Sequence, residues 1–311
     1  MSSPSRAILL TGASSSTGMS SGTGRAAALR LHRAGWPVYA TARRPEALAE
    51  LAAEGIQVLP LDVNDEESMT AVVEKITAEH GAVGTLINNA AYSLNGTIGE
   101  TPMDEVRSQF ETNLFGLCRL TQLVLPGMRA QGSGRVIMMS SIFGQFATPG
   151  RGYYQATKHA LEAIGDSLRL EVAHFGIKVV LIEPSPVLGG FVPMTVADLG
   201  MTGQEHTGLY DDFWQYFVDW HGAYRETDHP TGRGRMAVRA ETVAKVIEKA
   251  VTKENPRIRY RIGGPSRMLP RMRWTIGDRL FEKFVRFFFP IPWPPERPPR
   301  GVLTAGSKPQ D

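Results

Sequence analysis

The chain has one cysteine in 311 residues, Cys118. It can form no internal disulfide, so nothing here points to an oxidising compartment, and a cytoplasmic location is expected. Cys118 lies in an apolar, helix-like segment and reads as a core residue rather than a nucleophile. No uninterrupted apolar run reaches the roughly 18 residues that a membrane-spanning helix needs. The apolar run in MSSPSRAILLTG is too short for a secretory signal. The seven histidines show no metal-ligand spacing, and His159 reads as a helix-surface residue, so no metal site is expected. No internal repeat of about 20–50 residues is present. One absence is local: the second apolar run ends Ala42-Arg43-Arg44, with no acidic residue.

What is present fits a soluble globular protein, with 42% hydrophobic and 21% charged residues. The net charge of +3 is unevenly spread. From Asn255 to Asp311 there are twelve basic and four acidic residues, a surplus of +8, so the first 254 residues carry −5.

Apolar runs at 6–11, 37–42, 56–61, 83–88, 134–140, 177–183 and 257–262 alternate with helix-favouring segments. The latter fall at 25–34, 45–54, 65–80, 102–130, 152–174 and 240–252, with a break expected near Pro126-Gly127. Such alternation predicts an α/β fold, a doubly wound parallel sheet of the Rossmann type with helices on both faces. The strands are continuous apolar runs, as expected when both faces are buried. Between 185 and 237 the pattern breaks into a Gly-, Pro- and aromatic-rich segment with a short helix at 209–221. The expected organisation is a catalytic domain over 1–265, with 186–237 as its substrate loop, followed by a basic amphipathic helix and Pro-rich tail over 266–311.

Directly after the first strand comes TGASSSTGMSSGTGRAAAL. Glycines here let the backbone approach a pyrophosphate, and the next helix offers its N-terminal N–H groups. Two registers fit. Either Gly18 closes the loop with Ser16 in the middle position, or six residues are inserted and Gly22 and Gly24 form the pair. The second is preferred, because it keeps both glycines out of a helix interior, where each costs about 1 kcal/mol. At the end of the second strand an acid would bind a ribose 2′-hydroxyl, whereas an arginine accommodates a 2′-phosphate. Arg43 therefore predicts NADP(H) over NAD(H); two solvated arginines are the plainer alternative.

Further along, Tyr154 and Lys158 stand at i,i+4 and share a helix face. An ammonium beside a phenol lowers the phenol's pKa, which suits general acid–base catalysis. Tyr153 points elsewhere.

Taken in order, these motifs resemble the short-chain dehydrogenase/reductase family over about residues 6–262: the Thr11-Gly12 loop, Asp62-Val63, Asn88-Asn89-Ala90-Ala91, Asn113, Ser141, Tyr154-x-x-x-Lys158 and Glu183-Pro184. The layout of 105–184 is most similar to the branch acting on steroids, retinoids and other apolar alcohols and ketones. The resemblance implies Tyr154 as acid/base, Lys158 as its partner and a ligand of the nicotinamide ribose, Ser141 as a hydrogen-bond donor to substrate, and Asn113 as the anchor of a water in a proton relay. Ser141 is chosen over Ser140 by its distance of thirteen residues from the tyrosine. The resemblance also assigns Gly12, Ser14, Gly22, Thr23 and Gly24 to the pyrophosphate loop, Asp62 and Val63 to the adenine, Asn89 and Ala90 to the adenosine ribose, and Pro184 and Val187 to the nicotinamide. Departures are the lengthened loop, Ala91 for a glycine, and Ser185 and Gly189 where a glycine and a threonine are usual.

The expected activity is NADP(H)-dependent interconversion of a ketone and a secondary alcohol on an apolar small molecule, in a homodimer or homotetramer. The rival reading is a non-catalytic NADP(H)-binding regulator. The aromatics of 209–221 either meet substrate or pack a lid. In the tail, Ile276, Leu280, Phe281, Phe284, Val285 and Phe288 recur at helical spacing among Arg279, Lys283 and Arg286. Such a helix can lie on an anionic membrane, pack on the domain or cover a partner subunit. A base-stacking platform is missing, so nucleic acid is not an expected partner.

Overall fold

The computed structural model describes residues 3–14, 22–188, 210–222 and 232–289. Seven strands form one parallel sheet in the order β3-β2-β1-β4-β5-β6-β7. They are β1 (Ile8–Leu10), β2 (Val38–Ala42), β3 (Gln57–Pro60), β4 (Thr85–Asn88), β5 (Gly134–Met139), β6 (Ile177–Pro184) and β7 (Arg259–Ile262). The helices between them are α1 (Thr23–Arg33), α2 (Ala49–Ala53), α3 (Glu66–His80), α4 (Met103–Phe110), α5 (Gly116–Ala130), α6 (Gly152–Val172) and α8 (Ala240–Thr252), with α7 (Asp211–Gly222) before α8 and α9 (Gly264–Phe288) after β7. This is the doubly wound parallel sheet that the alternation predicts.

Strand periodicity divides the core in two. In β1, Ile8 and Leu10 face a cluster with Ala27, Leu31, Val243 and Ile247 of α1 and α8. Leu9, pointing the other way, joins Val72, Ile76, Leu120, Val124 and Leu161 of α3, α5 and α6. Successive side chains of a strand point to opposite faces, so one short apolar run serves both layers. The order reverses at β1 and β4: one half of the sheet grows from β1 towards β3, the other from β4 towards β7. A crevice therefore opens at the C-terminal ends of these strands, where ligands bind in open α/β sheets.

The break expected at Pro126 does not occur, since α5 runs through it. Pro126 and Gln122, the residue whose carbonyl loses its bond, both lie on the exposed side. Water can replace that bond, while buried Val124, Leu125 and Met128 hold the helix to the core. The irregularity falls one segment earlier. A wider π-type turn at Glu111–Phe115 joins α4 to α5 and contains Asn113. The second expected helix is a 3₁₀ turn at Pro45–Leu48 followed by the short α2.

At the C-terminus, α9 lies on the domain and kinks at Gly277 (φ 73°). Its inner side chains Leu269, Met272, Phe281, Phe284 and Val285 join a cluster with Ile142, Phe143, Phe146 and Tyr154. No helix among the described residues is long and apolar enough to cross a membrane. Ser16, Gly18 and Gly189, most of 186–209 and the tail beyond 289 lie outside the described residues.

Candidate active site

The crevice is a cavity of about 550 Å³. Its floor is built from the ends of β1 and β4, which Thr11 and Asn89 tie together. The Thr11 hydroxyl accepts from the backbone N–H groups of Asn89 and Ala90, 3.0 Å each. The Asn89 amide donates to the carbonyls of Thr11 (3.0 Å) and Gly12 (2.8 Å). Asn89 thus acts as a strut under the glycine loop.

Glycine is required at two points of that loop. A Cβ on Gly12 (φ 67°) would stand 2.7 Å from the Ala90 Cα, and one on Gly24 2.5 Å from the Gly12 carbonyl oxygen. Real Cβ atoms do not approach backbone so closely. Gly22 (φ 66°) is the N-cap of α1, and Thr23 and Gly24 form its first turn, which holds no acidic residue. Gly22 and Gly24, which the inserted register pairs, therefore open α1, and Gly24 packs on Gly12. Positive dipole and bare backbone here fit a pyrophosphate. The prediction for Gly24→Ala is at least a tenfold loss of NADPH affinity by titration calorimetry, because the clash lies with backbone that cannot swing aside.

Gly12, Ser14, Thr23, Gly24, Arg43, Asp62, Val63, Asn89, Ala90, Pro184 and Val187 all line the cavity, as do Ser141, Tyr154 and Lys158. Gly22, the N-cap of α1, is not among the lining residues. Asn113 stands behind the wall. It is fully buried, and its amide clamps the backbone of Tyr92, donating to the carbonyl (2.8 Å) and accepting from the N–H (3.0 Å). The Asn113 side chain thereby fixes the loop after β4, and any water it anchors would have to sit at its remaining groups.

Tyr154 and Lys158 project from the first turns of α6, both buried. Tyr154 is hydrogen-bonded to Ser141, which follows β5. The Ser141 hydroxyl also accepts from the Phe143 N–H at 3.2 Å. Ser140, its neighbour, makes no such bond: Ser140 Oγ and Ser93 Oγ are buried on the wall with no hydrogen-bond partner. Ser140 Oγ lies against Gly144, where a Cβ would stand 2.8 Å from it. The glycine cradle at the start of α1 is the feature that fits a dinucleotide.

The electrostatics depart from the sequence expectation. Burial raises the Tyr154 phenol above its ordinary value, and the Ser141 bond and the Arg151 charge only partly oppose this. Lys158 does not bond the phenol. Its Nζ donates to the Met139 carbonyl at 2.8 Å and lies 5.7 Å from the centre of the tyrosine ring. Burial pushes Lys158 down to about 8, against the pull of Glu162. Desolvation outweighs the Ser141 bond and the Arg151 charge at a site this enclosed.

Arg151, one helical turn before Tyr154, belongs to the site and was not singled out by the motifs. It is buried on the cavity wall, donates from Nε to Asn95 Oδ1 at 2.8 Å and sits 5.2 Å from the centre of the Phe217 ring. The i,i+3 spacing to Tyr154 was the available signal. The α7 aromatics Phe213, Trp214 and Phe217 pack mainly with one another, and none lines the cavity. Phe143 does, in edge contact with Tyr154 at 6.5 Å. Ser185 shows why a glycine is not needed there: its hydroxyl meets Ser266 Oγ at 2.9 Å and ties β6 to the start of α9. Among the described residues no group of three metal-ligating side chains comes together.

A parallel sheet with a glycine cradle at its reversal point and a buried Ser-Tyr-Lys set beside it defines a dinucleotide-dependent oxidoreductase. Residues 13–197 match the family model for short chain dehydrogenases. The chain is 32% identical over 271 residues to the uncharacterized oxidoreductase YbbO of Escherichia coli K12, covering 87% of this chain and 92% of that protein. It is 31% identical over 277 residues to a 3-ketodihydrosphingosine reductase of Bacteroides thetaiotaomicron, covering 88% and 97%. A crystal structure of a short-chain dehydrogenase from Streptomyces avermitilis superposes with a TM-score of 0.68 at 32% identity, covering 92% of this chain and 99% of that one. The chain belongs to the short-chain dehydrogenase/reductase family, and it is an oxidoreductase that uses a nicotinamide cofactor.

Proposed function

We propose that the protein reduces a ketone on a long apolar molecule with NADPH, using Tyr154 as the proton donor. The observation that carries this reading is the setting of Tyr154: bonded to Ser141 on one side and packed in an aromatic cluster shared with α9 on the other. A phenol held above its ordinary pKa is protonated at neutral pH, the state that reduction requires. When bound, the nicotinamide supplies the hydride. Tyr154 gives its proton to the substrate oxygen as negative charge develops there. The Ser141 hydroxyl donates to the same oxygen, an interaction of a kind that contributes about 3–4 kcal/mol. Lys158, still cationic at neutral pH, adds positive charge behind the phenol and stands on the wall where a ribose would be held.

The cofactor preference rests on Arg43, which lines the cavity at the end of β2 where no acid stands. The substrate class rests on Phe143, Phe146 and Phe281 beside the tyrosine, with Phe146 and Phe281 in edge contact at 5.6 Å. The Bacteroides relative's name, a reductase of a 3-keto sphingoid base, agrees with a lipid-like ketone. Exposed Phe115 and Leu170 on the helices of 102–130 and 152–174 support a homodimer or homotetramer. Steady-state assays of a ketone series with each cofactor test the proposal. NADPH should give at least about tenfold the kcat/KM of NADH, and kcat/KM should rise with chain length by about fourfold per fully buried methylene. Preference for NADH, or for small polar ketones, would reject the corresponding half.

A further inference from the structure

We propose that the outward face of α9 docks on an anionic lipid bilayer. Trp274 and Phe287 are 87% and 79% exposed, and Met268 and Leu280 more than half exposed. Large apolar side chains so far into water, four of them on one helix, are not needed for packing; the opposite side of α9 already fills the Tyr154 cluster.

Basic residues are interleaved with them. Arg267, Arg271 and Trp274 share a face of the first half of α9 by their i,i+4,i+7 spacing, and Leu280, Lys283 and Phe287 share one in the second. Between Gly264 and Phe289 there are six basic and two acidic residues. Both acids are already engaged, Asp278 with Arg273 at 3.6 Å and Glu282 with Arg286 at 2.7 Å. Among the described residues, Arg267, Arg271, Arg279 and Lys283 form no ion pair. A helix with Trp and Phe beside unpaired cations lies in the interface of an anionic membrane, apolar groups among the acyl chains and cations at the headgroups. Charge argues against a second copy as the occupant, since a two-fold contact would set these cations against themselves.

The geometry also suggests a delivery route. The helix that would rest on the bilayer is the one whose inner face reaches Tyr154, so an apolar ketone leaving the membrane would meet the site directly. That route rests on the proposed substrate class; the docking itself does not.

Flotation of the full chain with phosphatidylcholine vesicles, with and without phosphatidylglycerol, tests the docking. The wild type should float with the mixed vesicles, and raised salt should release it. Trp274→Ala/Phe287→Ala and Arg271→Glu/Lys283→Glu should each lower binding at least tenfold, with unchanged melting temperature and unchanged turnover of a water-soluble ketone. Failure of the wild type to float, salt-independent binding, or variants that float as the wild type does would overturn the proposal. So would a fall in oligomer mass for the variants without vesicles, which would give the face to a second copy. Vesicle binding without reduction of apolar ketones would reject only the substrate class.

Discussion

Tyr154→Phe is expected to cut turnover by about 10²–10⁴-fold, the range by which a positioned acid–base group accelerates proton transfer. The substitution removes one oxygen and nothing else. The ring keeps its edge contact with Phe143 and its place among Phe146 and Phe281. Its hydroxyl bond to Ser141 is lost, but Ser141 still accepts from the Phe143 N–H, so the 3₁₀ turn after β5 keeps its cap. The glycine cradle and Arg43 are untouched, so NADPH should bind with wild-type affinity by calorimetry while single-turnover oxidation of NADPH by ketone nearly stops. Retention of more than a few per cent of the activity would remove Tyr154 from its role. Equal loss of cofactor binding would show instead that the phenol holds the dinucleotide.

The largest effect on stability is expected at Arg259→Met. Arg259 sits on β7 and draws three carboxylates together: Glu162 at 2.9 Å, Glu183 at 3.2 Å and Asp166. Glu183 is fully buried and Glu162 nearly so. Removing one partner of a buried ion pair leaves charge uncompensated and costs about 3–5 kcal/mol. Arg261 still reaches Glu183 at 2.9 Å and limits the loss, whereas among the described residues no second cation bonds Glu162, which already has one oxygen without a partner. The pH dependence has a definite sign. Burial already holds the Glu183 carboxyl above its usual range against the charges of Arg261 and Arg259, and removing Arg259 raises it further. Stability is then retained at low pH and lost as pH rises through the folded values. Urea unfolding should therefore show a deficit that is larger at about pH 8 than at about pH 5. A deficit that grows on acidification would contradict this reading of the cluster. Lys158 is one turn from Glu162, so the same variant reaches the base of the site through the charge that raises the lysine's pKa.

Much of the architecture was legible because a two-sided parallel sheet leaves a plain mark. Each strand must be apolar on both faces, so β1, β4 and β6 appear as unbroken runs, and the helices between them carry one buried stripe each. The candidate set was legible where its geometry is local: Tyr154 and Lys158 both stand in the first turns of α6 and line the cavity. The glycine pair was legible too, since Gly22 and Gly24 suit the start of a helix and are costly inside one.

What escaped the sequence reading depends on surroundings. Pro126 looked like a helix break, yet its lost bond falls on the wet side of α5 and is harmless there. The widened turn at Asn113 has no marker in residue type. Arg151 joins the site because the start of α6 abuts Asn95 and the α7 aromatics, contacts made by distant parts of the chain. The phenol and ammonium suggested a lowered tyrosine pKa, but full burial reversed the direction.

The amino-acid sequence by itself determined the succession of strands and helices along the chain and the identities of the groups that gather at the crevice. These follow from periodicity and side-chain chemistry, which act over a few residues. Only the tertiary structure decided how deeply Tyr154 and Lys158 are buried, and that α9 folds back to wall the tyrosine while turning Trp274 and Phe287 outward. Desolvation and packing depend on what surrounds a residue in space, and these neighbours come from opposite ends of the chain.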